Sequence, residues 1–177
     1  MSSDTKARIQ AVARELFVRQ GVRNTSLRQI SDRLGITKPA LYYHFASRDE
    51  LVRSIVQPMV EDIERFVAQQ APGDARRLLD DYFELMWRHR EVIVMMVREL
   101  STLGYLDLGA RMFDWRRQLI ILLLGPELTQ EQHIRATVAL GGMSDCTVEY
   151  AHLPLDVVKP LAVAAAADAL GLARTAT

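Results

Sequence analysis

Basic and aromatic residues cluster at positions 38–44 of the 177-residue chain, and their chemistry is that of a nucleic-acid-binding surface. Lys38, Tyr42, Tyr43 and His44 fall on the outer side of a short predicted helix, whereas Leu41 falls on the opposite side. Lysine can donate hydrogen bonds to guanine, and hydroxyl and imidazole groups can bind phosphate. A helix of about eight residues is about 12 Å long, which suits end-on entry into a major groove about 12 Å wide. These residues therefore predict a helix that reads DNA.

Two helix ends must position this surface. Ser26 and Gln29 have the spacing of a capping box, which predicts a first helix that begins at Thr25 or Ser26. Gly35 predicts its end, because glycine readily adopts the left-handed conformation that closes a helix. Thr37 can cap the second helix, and Pro39 is tolerated in its first turn. The pattern predicts a helix-turn-helix.

Three sequence segments carry a resemblance to a known family. They are A-x-x-L-F-x-x-x-G at 13–21, T-S-L-R-Q-I at 25–30 and T-K-P-A-L-Y-Y-H-F-A-S-R-D-E-L at 37–51. Over about residues 6–54 the chain resembles the DNA-binding domain of the TetR family of transcriptional regulators. Ser31 and Leu34 depart from the commonest pattern, in which alanine occupies these positions.

The resemblance implies an all-α fold of about nine helices in two domains. A three-helix DNA-binding head is expected at residues 1–50, and a helical effector-binding and dimerisation body at residues 51–177. It also implies roles for residues of the head. The expected base contacts are Arg28, Lys38 and Ala40, with Pro39 shaping the helix start. The expected phosphate contacts are Thr25, Ser26, Thr37, Tyr42, Tyr43, His44 and Arg48. For Tyr42, partial burial against the first helix is the alternative.

Charge is unevenly distributed along the chain. The 22 basic and 22 acidic residues balance overall, but residues 1–55 hold ten basic and five acidic residues, a net charge of +5, and the remainder has −5. The basic part contains the predicted helix-turn-helix, as DNA binding requires. Cys146 is the single cysteine, the N-terminus is polar and the apolar runs are short, so we expect a soluble, cytoplasmic protein without a membrane partner.

The remainder of the chain predicts further helices. They begin near Thr5 and Ser47, where S-R-D-E predicts a second capping box, and then occupy about 74–89, 91–100, 107–124 and 129–152. A last helix is expected to begin between Asp156 and Pro160 and to end at Gly171. Pro58 predicts a kink, which is either a pivot between the head and the body or a static bend.

Large apolar side chains of the body could line a cavity. Met-rich and aromatic walls suit an apolar ligand, and TetR-family members are typically regulated by small molecules bound in such a cavity. Plain hydrophobic core is the alternative for each residue. The candidates are Phe83, Met86, Trp87, Met95, Met96, Met112, Trp115 and Met143.

A second copy of the chain is also expected. One short reading helix buries too little surface for specific binding, so such heads act in pairs on palindromic sites. Small residues in the last two helices allow close helix approach, and in the family these helices form a four-helix bundle with their symmetry mates. Alternatively, the glycines only loosen a buried helix. The candidate interface residues are Ala136, Ala139, Gly142, Ala164 and Ala165.

The sequence gives little support for a metal site or an enzyme. Asp145, Glu149 and His152 would share one helix face, but a solvated or dimer-facing edge is favoured over a metal site. His133, Ser144 and Cys146 do not form a believable nucleophile and base pair, and a glycine-rich phosphate loop is missing. We therefore expect no enzymatic activity, no cofactor and no metal.

The expected function is a homodimeric repressor that leaves a palindromic DNA operator when a small apolar or amphipathic effector binds. Activation or co-repression by the ligand uses the same parts. The rival hypotheses are a ligand-independent, chromosome-associated DNA-binding protein and a helical enzyme that has inherited the head.

Overall fold

The computed structural model describes residues 2–99 and 108–172, which form nine helices and no strand. This confirms the predicted all-α class. The predicted helix end at Leu100 and helix start at Asp107 lie outside the described residues. The helices are α1 (Ser2–Gln20), α2 (Leu27–Leu34), α3 (Lys38–His44), α4 (Arg48–Gln69), α5 (Ala75–Arg88), α6 (Arg90–Arg98), α7 (Leu108–Leu124), α8 (Gln130–Glu149) and α9 (Leu155–Leu170).

The chain divides into two compact units. Among the described residues, unit 1 consists of 2–61 and 91–99, and unit 2 consists of 62–90 and 108–172. Unit 1 therefore contains the predicted head, the first part of α4 and nearly all of α6. The predicted functional boundary after residue 50 stays a prediction.

Side-chain caps fix the helix ends of unit 1. The N–H of Gln29 donates to Ser26 Oγ (3.2 Å), and Gln29 Oε1 accepts from the N–H of Ser26 (2.7 Å), which is the predicted capping box. Gly35 closes α2 with φ 67°, as expected. The second predicted box is only half correct: Ser47 Oγ accepts from the N–H of Glu50, but the Glu50 carboxylate reaches past Ser47 and accepts from the N–H of Ala46 (2.7 Å).

The core of unit 1 anchors the inner faces of α2 and α3. Phe17, Ile30, Leu41, Phe45 and Leu51 are each at most 1% exposed. Full burial of such a side chain stabilises a fold by about 1.5–3 kcal/mol. The packing therefore fixes which side of α3 faces outward.

Unit 2 is built around α5, α8 and α9. Leu79 and Phe83 of α5 are fully buried, and α8 and α9 make the most extensive helix contact of the described residues. Small buried residues allow this close approach: Ala136, Ala139, Ala162, Ala166 and Ala167.

Two boundary predictions near the C-terminus need correction. α8 ends at Glu149 with Tyr150 as its cap, so it stops before His152. α9 begins at Leu155, one residue before the predicted range, and Pro160 lies inside it. The missing proline N–H removes one hydrogen bond, but Ala162, Val163 and Ala166 are buried further along the helix and stabilise its continuation. α4 likewise continues through Pro58, and the predicted kink stays a prediction.

Among the described helices, none combines the length and apolar character needed to cross a bilayer.

Lys159 joins α9 to α5 through two carboxylates. Its Nζ lies 2.7 Å from Asp80 Oδ2 and 2.9 Å from Glu84 Oε2. Hydrogen bonds to Asp80 and then to Glu84 raise the pKa of Lys159, and the hydrogen bond from Lys159 lowers the pKa of Glu84. Both shifts indicate that this interaction favours the charged forms of the two groups.

We predict that Lys159→Met lowers Tm by about 2–4 °C at neutral pH, because partly exposed ion pairs contribute little and the methionine keeps the apolar stem. The lowered pKa of Glu84 makes its contribution fully present above its ordinary value of 4.5 and lost as pH falls through the folded pKa. The raised pKa of Lys159 makes its contribution fully present below 10.5 and lost as pH rises through the folded pKa.

Calorimetry of both proteins from pH 3 to pH 8 tests this prediction. Arg77→Met is the matched control, because Arg77 pairs with Asp81 at 3.7 Å within α5 and is largely exposed. The Tm difference caused by Lys159→Met should shrink below pH 4.5. A difference that grows in acid would contradict the assignment.

Candidate nucleic-acid interface

The outer face of α3 carries the predicted DNA-binding side chains. Lys38 and Pro39 are exposed, Tyr42 is 45% exposed and Tyr43 is 83% exposed. The ring of half-buried His44 meets the Tyr43 ring edge-on, with centroids 5.3 Å apart. A single solvent-facing surface therefore presents an ammonium group, two phenols and an imidazole.

The start of α3 is fixed by a local cap. Thr37 Oγ1 accepts a hydrogen bond from the N–H of Ala40 (3.3 Å), and Pro39 lies in the first turn. The Thr37 side chain is exposed and Ala40 is half-buried. The cap orients the first turn, where Lys38 and Ala40 would meet base edges.

The start of α2 lies on the surface of unit 1. Ser26 is exposed while its hydroxyl caps the helix, and the Arg28 side chain is 78% exposed. Arg28 Nε lies 3.6 Å from Asp32 Oδ2, one turn along α2. Such an exposed pair is weak, so the guanidinium can exchange this carboxylate for DNA.

Thr25 differs from the prediction. It is only 1% exposed, its hydroxyl donates to the Gly21 carbonyl (2.8 Å), and it accepts from Gln20 Nε2 (3.2 Å). The side chain is therefore used inside unit 1, where it fixes the turn between α1 and α2. We remove it from the phosphate contacts.

Arg48 is also used internally. Its Nη1 donates to the carbonyls of Val22 (3.2 Å) and Arg23 (3.3 Å), and its Nε is buried with no hydrogen-bond partner among the residues that the structure describes. This guanidinium ties the start of α4 to the α1–α2 turn. The Arg48 guanidinium therefore supports the candidate DNA-binding surface from inside unit 1. It is not a free side chain that is available to bind phosphate.

Sequence reasoning missed two residues near this surface. Lys6 Nζ of α1 lies 5.6 Å from the centre of the Phe45 ring, at the end of α3. Oε1 of Glu99, the residue after α6, accepts from the N–H of Val22 (3.2 Å). The basic character of residues 1–55 was a weak signal for Lys6, whereas no local pattern could have linked Glu99 to a turn 77 residues away.

The predicted pocket residues are not all brought together. Phe83, Met86, Trp87, Trp115 and Met143 are buried in unit 2, where the Phe83 and Trp87 rings stack with centroids 5.8 Å apart. Met112 is 53% exposed, and Met95 and Met96 belong to unit 1. Helical periodicity placed all eight residues on apolar helix faces. It could not predict which unit would bury each side chain.

Grooves in unit 2 have more polar linings than the predicted cavity. One of about 370 Å³ lies between α4 and α5 and includes Asp62, Arg65 and Glu84. The Arg65 hydrogen bond, and then that of His89, lower the pKa of Asp62. Another of about 280 Å³ lies between α4 and α7, and Trp115 lines it beside Arg111 and Asp114. Such linings suit an amphipathic ligand better than a purely apolar one.

The predicted dimer residues divide by exposure. Gly142, Ala164 and Ala165 are exposed, whereas Ala136 and Ala139 are at most 3% exposed within the chain. We therefore remove the two buried alanines from the candidate interface. The exposed residues belong to an outer apolar stripe on α8 and α9, which consists of Ile134, Val138, Gly142, Val157, Leu161, Ala164 and Ala165.

The carboxylate and histidine set does not share one helix face as predicted. His152 lies beyond the end of α8, which carries Asp145 and Glu149. Within residues 2–99 and 108–172, no group of three or more His, Cys, Asp or Glu residues is arranged to hold a metal ion. Burial and then the charge of Asp145 raise the pKa of Cys146, which disfavours the reactive thiolate.

Comparison with known proteins relates the helix-turn-helix sequence to a known family. The sequence model described as "Bacterial regulatory proteins, tetR family" matches residues 9–55. The HTH-type transcriptional activator FasR of Mycolicibacterium smegmatis is 33% identical over 66 residues, which are 37% of this chain and 30% of FasR. The HTH-type transcriptional repressor KstR2 of Rhodococcus jostii is 33% identical over 61 residues, 34% of this chain and 30% of KstR2. The chain thus aligns with less than a third of either relative.

The likeness in three dimensions extends over most of the chain. A crystal structure of a transcriptional regulator from Aquifex aeolicus VF5 superposes with a TM-score of 0.77 at 23% identity, covering 91% of this chain and 96% of that one. This comparison shows a common fold. These matched proteins are named as regulators and not as enzymes, in agreement with the expected class. Residues 9–55 thus carry the domain of the tetR family of bacterial regulatory proteins, on a helical fold that the described chain shares with the Aquifex regulator.

Proposed function

We propose that the protein is a sequence-specific DNA-binding transcriptional regulator that acts as a homodimer on a palindromic operator. The observation that carries this proposal is the exposed face of α3, with Lys38, Tyr42 and Tyr43, on a helix-turn-helix that matches the family. Lysine reads guanine, and the tyrosine hydroxyls bind phosphate. α3 has seven residues, so it spans about 10 Å and can enter a major groove end-on.

The proposed mode of regulation is repression that an effector relieves. An effector favours the released state only if it binds that state more tightly than the DNA-bound state. A ligand-dependent activator is the second candidate, because FasR is named as an activator and KstR2 as a repressor. Both relatives are similar to this chain over about a third of its length, so their similarity does not decide the sign of regulation.

Unit 2 is the proposed effector-binding part. Supporting features are the buried aromatic and thioether side chains near α5 and the groove lined by Trp115 and Arg111. Apolar surface next to charged groups favours a small amphipathic molecule. The proposed effector contacts are Phe83, Met86, Trp87, Trp115 and Met143.

The apolar stripe on α8 and α9 supports the homodimer. Leu161 is 70% exposed, Val138 61% and Ile134 57%, so three large aliphatic side chains of neighbouring helices face solvent in the single chain. Contiguous apolar surface of this kind marks an interaction site. Glycine and alanine between these residues allow a second helix pair to approach closely.

Selection of bound sequences from genomic DNA fragments tests the main proposal, and a second round adds a small-molecule extract of cells. Enrichment of one palindrome that the extract abolishes is the expected result. Enrichment that survives the extract would favour regulation without such an effector. Binding without enrichment, and with a steep salt dependence, would instead indicate a nonspecific chromosome-associated protein.

We predict that Lys38→Ala and Tyr43→Phe weaken DNA binding in different ways. Loss of the Lys38 ammonium should reduce discrimination against altered base pairs by about 1–3 kcal/mol. Loss of the Tyr43 hydroxyl should weaken binding to all sequences similarly, because phosphate contacts carry no sequence information.

Fluorescence anisotropy with the selected site and its single-base variants provides the measurement. Arg117→Ala removes an exposed cation of α7 in unit 2 and is the control. It should leave both the DNA affinity and the discrimination between sequences unchanged. Equal effects of Lys38→Ala on every sequence would remove Lys38 from the base contacts.

We predict that Leu161→Glu converts the dimer to a monomer at micromolar concentration. A carboxylate in a buried apolar interface loses its hydration without gaining a partner. Analytical ultracentrifugation measures the change. Phe113→Glu is the matched control, because Phe113 is 75% exposed on α7 and lies outside the stripe. A wild-type monomer under these conditions would refute the proposed dimer.

A further inference from the structure

The turn between α1 and α2, residues 21–25, is contacted by the end of α6. The N–H of Val22 donates to Glu99 Oε1 (3.2 Å), and Arg98 Nη1 donates to the Val18 carbonyl (3.1 Å). The last carbonyls of a helix lack partners within it, so Arg98 satisfies a group at the end of α1. Arg98, the last residue of α6, and Glu99, the residue after it, thus hold the end of α1 and the first residues that follow α1.

Gly21 makes the approach of Glu99 possible. Its φ is +85°, a left-handed conformation that side chains disfavour. A Cβ at this position would lie 2.5 Å from Glu99 Oε1, closer than real Cβ atoms allow. The left-handed φ therefore favours glycine at this turn, and the absence of a Cβ leaves room for the Glu99 carboxylate beside it.

The Val22 backbone is held from two sides. Glu99, the residue after α6, accepts from its N–H, while Arg48 of α4 donates to its carbonyl (3.2 Å). The Val22 side chain is 1% exposed. Ser26 follows four residues later, where it caps α2 and faces outward. Val22 thus lies, held on both sides, in the turn that leads into the exposed start of α2.

We propose that Glu99 and Arg98 are positioning residues for DNA binding. They hold the α1–α2 turn so that α2 and α3 keep the spacing that DNA requires, and they touch no DNA themselves. This inference rests on the DNA-binding function proposed above. Binding surfaces need their supporting groups placed to within about 0.5 Å, so release of Val22 lowers affinity even when the fold persists.

The direction of the change in DNA affinity distinguishes a positioning role of Glu99 from simple electrostatic repulsion. Removal of a carboxylate from a DNA-binding unit should strengthen DNA binding, because repulsion from phosphate is lost. Glu91→Ala is the matched control, since Glu91 lies in the first turn of α6 and pairs with Arg14 of α1 at 4.0 Å, away from the α1–α2 turn. Glu99→Gln removes the charge but keeps an oxygen that can accept from Val22.

The test compares the affinity of three variants for the selected DNA site, well below Tm and with the active fraction titrated. Glu91→Ala and Glu99→Gln should bind at least as tightly as the wild type. Glu99→Ala should bind about tenfold more weakly, as expected for loss of a hydrogen bond to a charged group. If Glu99→Ala instead binds as tightly as Glu91→Ala, the positioning role is refuted, while DNA binding by the wild type stands.

Amide hydrogen exchange at Val22 supplies a second readout. Exchange should be faster in Glu99→Ala than in Glu99→Gln, and DNA should slow it further in the wild type. The wild-type measurement keeps the test informative if Glu99→Ala does not fold: unchanged Val22 exchange on DNA binding would overturn the proposal. Wild-type protein that selects no DNA sequence would refute the proposed function itself.

Discussion

The short length of α3 is the constraint on which the rest of unit 1 depends. Seven residues do not hold a helix in water, because isolated helices shorter than about 12–15 residues are marginal. α3 persists because Leu41 and Phe45, the residue that follows the helix, are buried, and because Thr37 caps the helix start. The same burial forces Lys38 and Tyr43 to the opposite side. Stability and DNA recognition are thus two consequences of one packing arrangement.

Backbone groups between the helices impose a second requirement. The α1–α2 turn is close to the core, so its N–H and carbonyl groups need protein partners. Thr25, Arg48 and Glu99 supply them. Polar residues of a DNA-binding head are therefore not all DNA ligands. Some hold the turn from inside, and these residues set the precision with which the exposed ones are presented.

Unit 2 uses small residues for two purposes. Ala136 and Ala139 bring α8 and α9 together within the chain, whereas Gly142, Ala164 and Ala165 lie on the outer stripe. This division gives the packed helix pair an apolar exterior, which suits the proposed homodimer. The charged linings near Arg111 and Asp62 direct the proposed effector towards amphipathic molecules.

The sequence by itself determined the helical class, most helix ends and the helix-turn-helix. These features depend on local signals such as the Ser26 cap, Gly35 and apolar periodicity, which act within a few residues. Only the tertiary structure decided that Thr25 and Arg48 are used internally, that Met95 belongs to unit 1 and that Glu99 contacts Val22. Periodicity states which residues share a face, but it does not state which distant segment covers that face. That choice depends on packing and on hydrogen bonds between residues far apart in the chain.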